Sequence, residues 1–223
     1  MPPEQSQSDI VDRPRVIEKI LSWLNSPALR ERDQRVLSLV GPPGSGKSVV
    51  LRMLKNDPPP GVQIIPLPHP TDFFTPNGAA IITDPTDEIK DWFTQIFSAG
   101  FDPHATVTAR LQESARRLCD QPPDTIPLFL VDGYDEMPDA ARAEQQARIF
   151  CKQILDPLIE PSCTRMIIAR RDEFEIHSFA LRIRAAEPIR LPALGDVDKR
   201  FAHDQFCLLI YPNSLPKNTD AWM

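Results

Sequence analysis

Eight consecutive residues, Gly41-Pro42-Pro43-Gly44-Ser45-Gly46-Lys47-Ser48, have the types and spacing needed to hold phosphate. Phosphate oxygens need converging backbone N–H donors. A loop that opens a helix supplies them, together with the positive end of the helix dipole. Gly44 and Gly46 permit backbone angles and close approaches that a side chain would block. Pro42 and Pro43 have no N–H, so the donors must come from Gly44 onward. Lys47 is placed to reach the β- and γ-phosphates of a nucleoside triphosphate, and the Ser48 hydroxyl to hold Mg²⁺. The set expected to contact the nucleotide is Gly41, Pro42, Pro43, Gly44, Ser45, Gly46, Lys47, Ser48 and Val49. The plain alternative is a glycine loop that only turns the chain. The flanking sequence argues against it. Val36 to Val40 is an apolar run that reads as a buried strand, and Val49 to Leu54 reads as a helix.

A second chemical stretch is Ile126-Pro127-Leu128-Phe129-Leu130-Val131-Asp132-Gly133-Tyr134-Asp135-Glu136. It reads as a buried strand that delivers acids at its C-terminal end. In an open parallel sheet a ligand sits outside that end. Asp132 is therefore expected beside Ser48, in the Mg²⁺ shell, through water. Glu136 first, and Asp135 second, are the candidates to orient or deprotonate an attacking water. The alternative for Asp135 is that it caps the helix that follows. A third strand, Thr164 to Ala169, ends in Arg170-Arg171, where a cation could face the γ-phosphate or simply be solvated.

The remaining elements must position these groups. Asp12 can cap a helix with Pro14 in its first turn and with Val16, Ile17, Ile20, Leu21 and Leu24 on one face, ending near Asn25. Val62 to Leu67 is a short strand that Pro66 assigns to a sheet edge. Pro68 to Ala80 is irregular and suggests no function. Asp84 can cap a helix with Ile89, Trp92, Phe93, Ile96 and Phe97 inward, an aromatic stripe that reads as core. Helices follow over about 106–118 and 138–155. Ile189-Arg190-Leu191 is a last short strand. A helix over about 197–210 and a polar end complete the chain.

Composition bounds the function. A chain of 223 residues suits one large domain, or one domain plus a fragment of another, and its net charge of −6 speaks against nucleic acid as the main partner. Cys119, Cys151, Cys163 and Cys207 lack C-x-x-C spacing, so reduced buried thiols are expected, with neither a zinc site nor a disulfide framework. No signal segment or membrane-spanning run is visible, and a cytoplasmic location is expected.

GPPGSGKS, LFLVDGYDE and MIIARR, in this order, resemble the P-loop ATPases related to AAA+ proteins. The Asp-Gly-x-Asp-Glu form is most similar to the signal-transduction ATPases with numerous domains (STAND), in their NACHT-type branch. The resemblance covers about residues 9–196. That family's entry motif has Gly-Arg before a helix, where this chain has Asp12-Arg13. The resemblance implies a three-layer α/β fold with a five-stranded parallel sheet in the order 5-1-4-3-2 and helices on both faces. It places Arg170 or Arg171 at the sensor position. It implies a P-loop domain over 9–195, after a disordered tail at 1–8, with a partial lid helix and polar tail at 196–223. The implied function is an ATP- and ADP-binding, slowly ATP-hydrolysing, Mg²⁺-dependent signalling switch, whose partners are further copies of the chain or other STAND and effector domains. The chain would then be a fragment or a truncated form. A AAA+-like remodelling ATPase and a non-catalytic nucleotide-binding scaffold stay open.

Overall fold

Five strands pair in parallel to form the centre of the molecule: β1 (Val36–Val40), β2 (Val62–Pro66), β3 (Ile126–Val131), β4 (Arg165–Arg170) and β5 (Ile189–Arg190). Their order across the sheet is β2-β3-β4-β1-β5, which is the expected order read from the other edge. The computed structural model describes residues 13–27, 33–75, 86–97, 105–120, 125–137 and 140–193. The expected tail at 1–8, the caps Asp12 and Asp84, and the lid helix and tail at 196–223 lie outside the described residues.

The central strands are continuous apolar runs because both faces of the sheet are covered. Helix α1 (Arg13–Asn25) and helix α2 (Lys47–Asn56) cover one face. There Ile20, Leu24, Val50 and Leu54 pack on Leu37, Leu39, Leu130 and Ile167. Helix α3 (Asp87–Phe97) and helix α4 (Val107–Cys119) lie on the other face with the chain from Ala143 to Ile159. Their Ile89, Phe93, Leu111 and Phe150 pack on Phe129, Val131, Met166 and Ile168. The successive strand residues of β1, β3 and β4 alternate between these two cores, as the period of two requires. The result is a three-layer α/β fold.

Several elements lie where the sequence puts them. Pro66 sits on the edge strand β2, where a missing N–H leaves no ladder bond broken. Thr106 caps α4 by accepting a hydrogen bond from the Ala109 N–H at 3.2 Å. Other details differ. The helix expected over 138–155 is a 3₁₀ turn (Ala140–Arg142), helix α5 (Ala143–Phe150), a π-helical stretch (Cys151–Leu155) and helix α6 (Asp156–Ile159). Pro157 sits in the first turn of α6, directly after the π-helical stretch. A short helix α7 (Phe179–Ile183) between β4 and β5 has no counterpart in the sequence reading.

The cysteine expectation is corrected. Cys119 and Cys163 form a disulfide, with Cα atoms 5.7 Å apart, and Cys151 is a buried free thiol. The bridge joins the end of α4 to the turn before β4, positions 44 residues apart. Sequence spacing carries no signal for such a pairing. It becomes visible only once both elements are packed on the same face of the sheet. Among the described residues no helix is long and apolar enough to cross a membrane.

Candidate functional site

The loop Gly41–Gly46 leaves β1 and enters α2 at Lys47. Gly44 and Gly46 have φ of 74° and 88°, the left-handed conformations that favour glycine. Gly41 is needed for another reason: a Cβ there would lie 2.5 Å from the Leu191 carbonyl oxygen. The loop thus passes directly over the exit of β5.

A cavity of about 330 Å³ opens at the C-terminal ends of β1, β3 and β4. Pro43, Gly44, Gly46, Lys47, Ser48 and Val49 line one side; Asp132, Gly133, Asp135, Glu136 and Arg171 line the other. Gly41, Pro42 and Ser45 of the expected contact set do not line it. Gly41 and Pro42 instead present carbonyls to the Lys47 ammonium, at 2.7 and 3.0 Å. Burial pulls Lys47 below the ordinary lysine value, against the opposing pull of the Asp135 carboxylate.

The Ser48 hydroxyl donates to Asp132 Oδ1 at 3.0 Å. Asp132 Oδ1 also accepts from the Gly133 N–H at 3.1 Å. Asp132 thus stands beside Ser48 as expected, although 84 positions separate them. A hydroxyl and one carboxylate are a hard-oxygen pair of the kind that holds Mg²⁺ together with phosphate oxygens and water. Bound there, Mg²⁺ would neutralise charge on the phosphates. Among the described residues no group of three His, Cys, Asp or Glu side chains could hold a metal.

The two later acids have different surroundings. The Asp135 side chain is 5% exposed and pairs with Arg171, whose Nε lies 2.6 Å from Oδ2. Burial still raises the Asp135 carboxyl above the ordinary aspartate value, with Arg171 and Lys47 opposing. Glu136 is 60% exposed, and its Oε2 lies 3.3 Å from His69 Nε2. His69 belongs to the stretch after β2 for which the sequence offered no function. Its Nδ1 accepts from the Thr71 N–H at 3.4 Å and lies 2.8 Å from Thr71 Oγ1. With Nδ1 accepting, the ring proton is assigned to Nε2, which donates to Glu136. The signal available in sequence was indirect. In a parallel sheet with β2 beside β3, the residues just past β2 reach the same edge as those just past β3.

The arginine pair separates. Arg171 lines the cavity. Arg170 does not; its guanidinium donates to the Phe174 carbonyl at 2.6 Å and to Ser38 Oγ at 3.4 Å. Alternation along β4 explains the difference. Arg170 is the last strand residue, paired in register with Val40, whereas Arg171 is the first residue past the strand. Tyr134, between Asp132 and Asp135, is fully buried, and burial pushes its phenol far above the ordinary tyrosine value.

A glycine loop between β1 and α2, an acid at the end of β3 touching the loop's serine, and β4 between those strands decide the fold. It is that of a P-loop NTPase. Residues 2–78 match the family described as the Rad17 P-loop domain. Among solved structures, the fold is similar to C. elegans PCH-2 at 14% identity and a TM-score of 0.44, covering 97% of this chain and 53% of that one. A chain of the E. coli MS115-1 HORMA:CdnC:Trip13 complex is similar at 16% identity and 0.42, covering 88% and 64%. A chain of Drosophila ORC bound to DNA is similar at 13% identity and 0.41, covering 85% and 44%. The chain thus spans between 44% and 64% of the length of these structures. No curated protein matches it.

Proposed function

We propose that the chain is an ATP-binding and slowly ATP-hydrolysing module of the AAA+-like group, working as a STAND-type switch. The contact of Ser48 with Asp132 carries the reading, because it puts an oxygen pair suited to Mg²⁺ beside the lysine of the phosphate loop. Lys47 and the N–H groups from Gly44 onward bind phosphate. Ser48 and Asp132 hold Mg²⁺. Glu136 orients or deprotonates the attacking water. Asp135 is occupied by Arg171, which leaves the more exposed Glu136 as the better base. Arg171, not Arg170, is the sensor-like cation, since only Arg171 lines the cavity. The partners of the switch are nucleotide, further copies of the chain and effector domains.

A second reading, a AAA+-like remodelling ATPase, draws on the match of residues 2–78 to the Rad17 P-loop domain. Hydrolysis separates the possibilities. In single-turnover assays Glu136→Gln retains ATP binding and slows hydrolysis at least about 100-fold, the contribution of a positioned base. Unaffected hydrolysis in Glu136→Gln, with loss in Asp135→Asn, reverses the two roles. Turnover accelerated by protein or nucleic-acid polymers favours remodelling. A nucleotide-dependent change of oligomeric state without such acceleration favours the switch.

A further inference from the structure

Three segments distant in sequence meet at one oxygen. The Tyr134 hydroxyl donates to the Glu175 carbonyl at 3.1 Å and accepts from the His177 N–H at 3.3 Å. It also lies 3.2 Å from the Cys151 Sγ. A phenol has one proton and two acceptor sites. With its proton on Glu175, the thiol donates to it, so the complement is complete. Cys151 is the first residue of the π-helical stretch, a local widening often found at functional sites.

The contacts close a circuit. Glu175 and His177 belong to the loop that leaves β4. Arg170 holds that loop through the Phe174 carbonyl at 2.6 Å, and the Arg171 guanidinium lies 5.9 Å from the Phe174 ring centre. Arg171 in turn grips Asp135, the neighbour of Tyr134. The acidic loop after β3 and the arginine loop after β4 are therefore joined twice, once at the cavity wall and once beneath it.

We propose that Tyr134 is a positioning residue of the nucleotide site, whose buried hydroxyl fixes the loop after β4 and so holds Arg171 against Asp135. The claim rests on reading the cavity as a nucleotide site, but its first test does not. Tyr134→Phe keeps the ring and removes the three bonds. In nucleotide-free protein labelled with ¹⁵N at arginine, the Arg171 Nε–H signal, identified by its loss in Arg171→Lys, exchanges with solvent at least about tenfold faster in Tyr134→Phe, the effect of about one net hydrogen bond. The Arg35 Nε–H, bonded to Asp33 at the other end of the sheet, is the control and does not change. Equal acceleration of both signals means general loosening, and no acceleration means no coupling; either overturns the proposal. Should Tyr134→Phe not fold, Cys151→Ala removes one of the three bonds and gives a smaller acceleration confined to Arg171.

The second test is a double-mutant cycle on ATP turnover. Tyr134→Phe lowers kcat about tenfold in the wild-type background and has no further effect in Arg171→Ala. Additive losses contradict action through Arg171. If the wild-type chain neither binds nor hydrolyses ATP, the nucleotide reading fails, and the exchange measurement still decides the role of Tyr134.

Discussion

Gly133→Ala perturbs the site through one methyl group. Gly133 has φ of 69°, and an alanine held there costs about 1–2 kcal/mol for left-handed backbone. Its Cβ would also lie 2.3 Å from His69 Nε2, so the imidazole must move. The ring is not free to do so, because Nδ1 serves Thr71. Losing that contact adds about 1 kcal/mol. The expected destabilisation is about 2–3 kcal/mol, or about 4–12 °C in Tm for a domain of this size. Chemical and thermal unfolding of the four proteins wild type, Gly133→Ala, His69→Ala and Gly133→Ala/His69→Ala measure it. The backbone part of the loss persists when His69 is absent, while the steric part disappears. A Gly133→Ala protein as stable as wild type would refute the backbone argument. An unchanged Gly133→Ala penalty in the His69→Ala background would refute the contact between ring and glycine.

Three further outcomes are expected. His69→Ala removes the ring beside Glu136 and alters kcat for ATP more than KM, whereas His69→Gln, which retains a donor, restores most of the wild-type rate. Burial raises the Asp135 carboxyl, so the folded state holds its proton to higher pH than the unfolded chain; this group's contribution to stability falls as pH rises from its unfolded value near 3.8 through its raised folded value. Unfolding of wild type and Asp135→Asn between pH 3 and 7 shows the variant gaining relative stability as pH rises. Reducing the Cys119–Cys163 bridge, which closes a 44-residue span, removes up to about 4 kcal/mol on the chain-entropy model, read as a lowered denaturation midpoint with reductant.

What was legible in the sequence depended on local pattern. The loop of glycines between an apolar run and a helix, the acid that ends Ile126–Val131 and the proline in Val62–Pro66 each announce themselves within a few residues. The parallel order followed from the family resemblance that these motifs carry. What was not legible depends on contacts across the fold. His69 reaches Glu136 because β2 lies beside β3. Cys119 meets Cys163 because α4 ends over the turn before β4. Arg170 and Arg171 look equivalent in sequence, and only their positions relative to the last rung of β4 send one to the cavity and the other to Phe174. Tyr134 received no reading of its own from the sequence, because its contacts are made with segments that begin at Cys151 and Glu175.

Calorimetric titration of ATP, with and without Mg²⁺, against wild type, Lys47→Ala and Ser48→Ala tests the nucleotide site most directly. The expected result is a single wild-type site whose affinity depends on Mg²⁺. Lys47→Ala loses at least about tenfold in affinity, the worth of a charge-assisted bond. Ser48→Ala loses mainly the Mg²⁺ dependence. A folded Lys47→Ala protein that binds ATP as tightly as wild type would contradict the assignment of the loop.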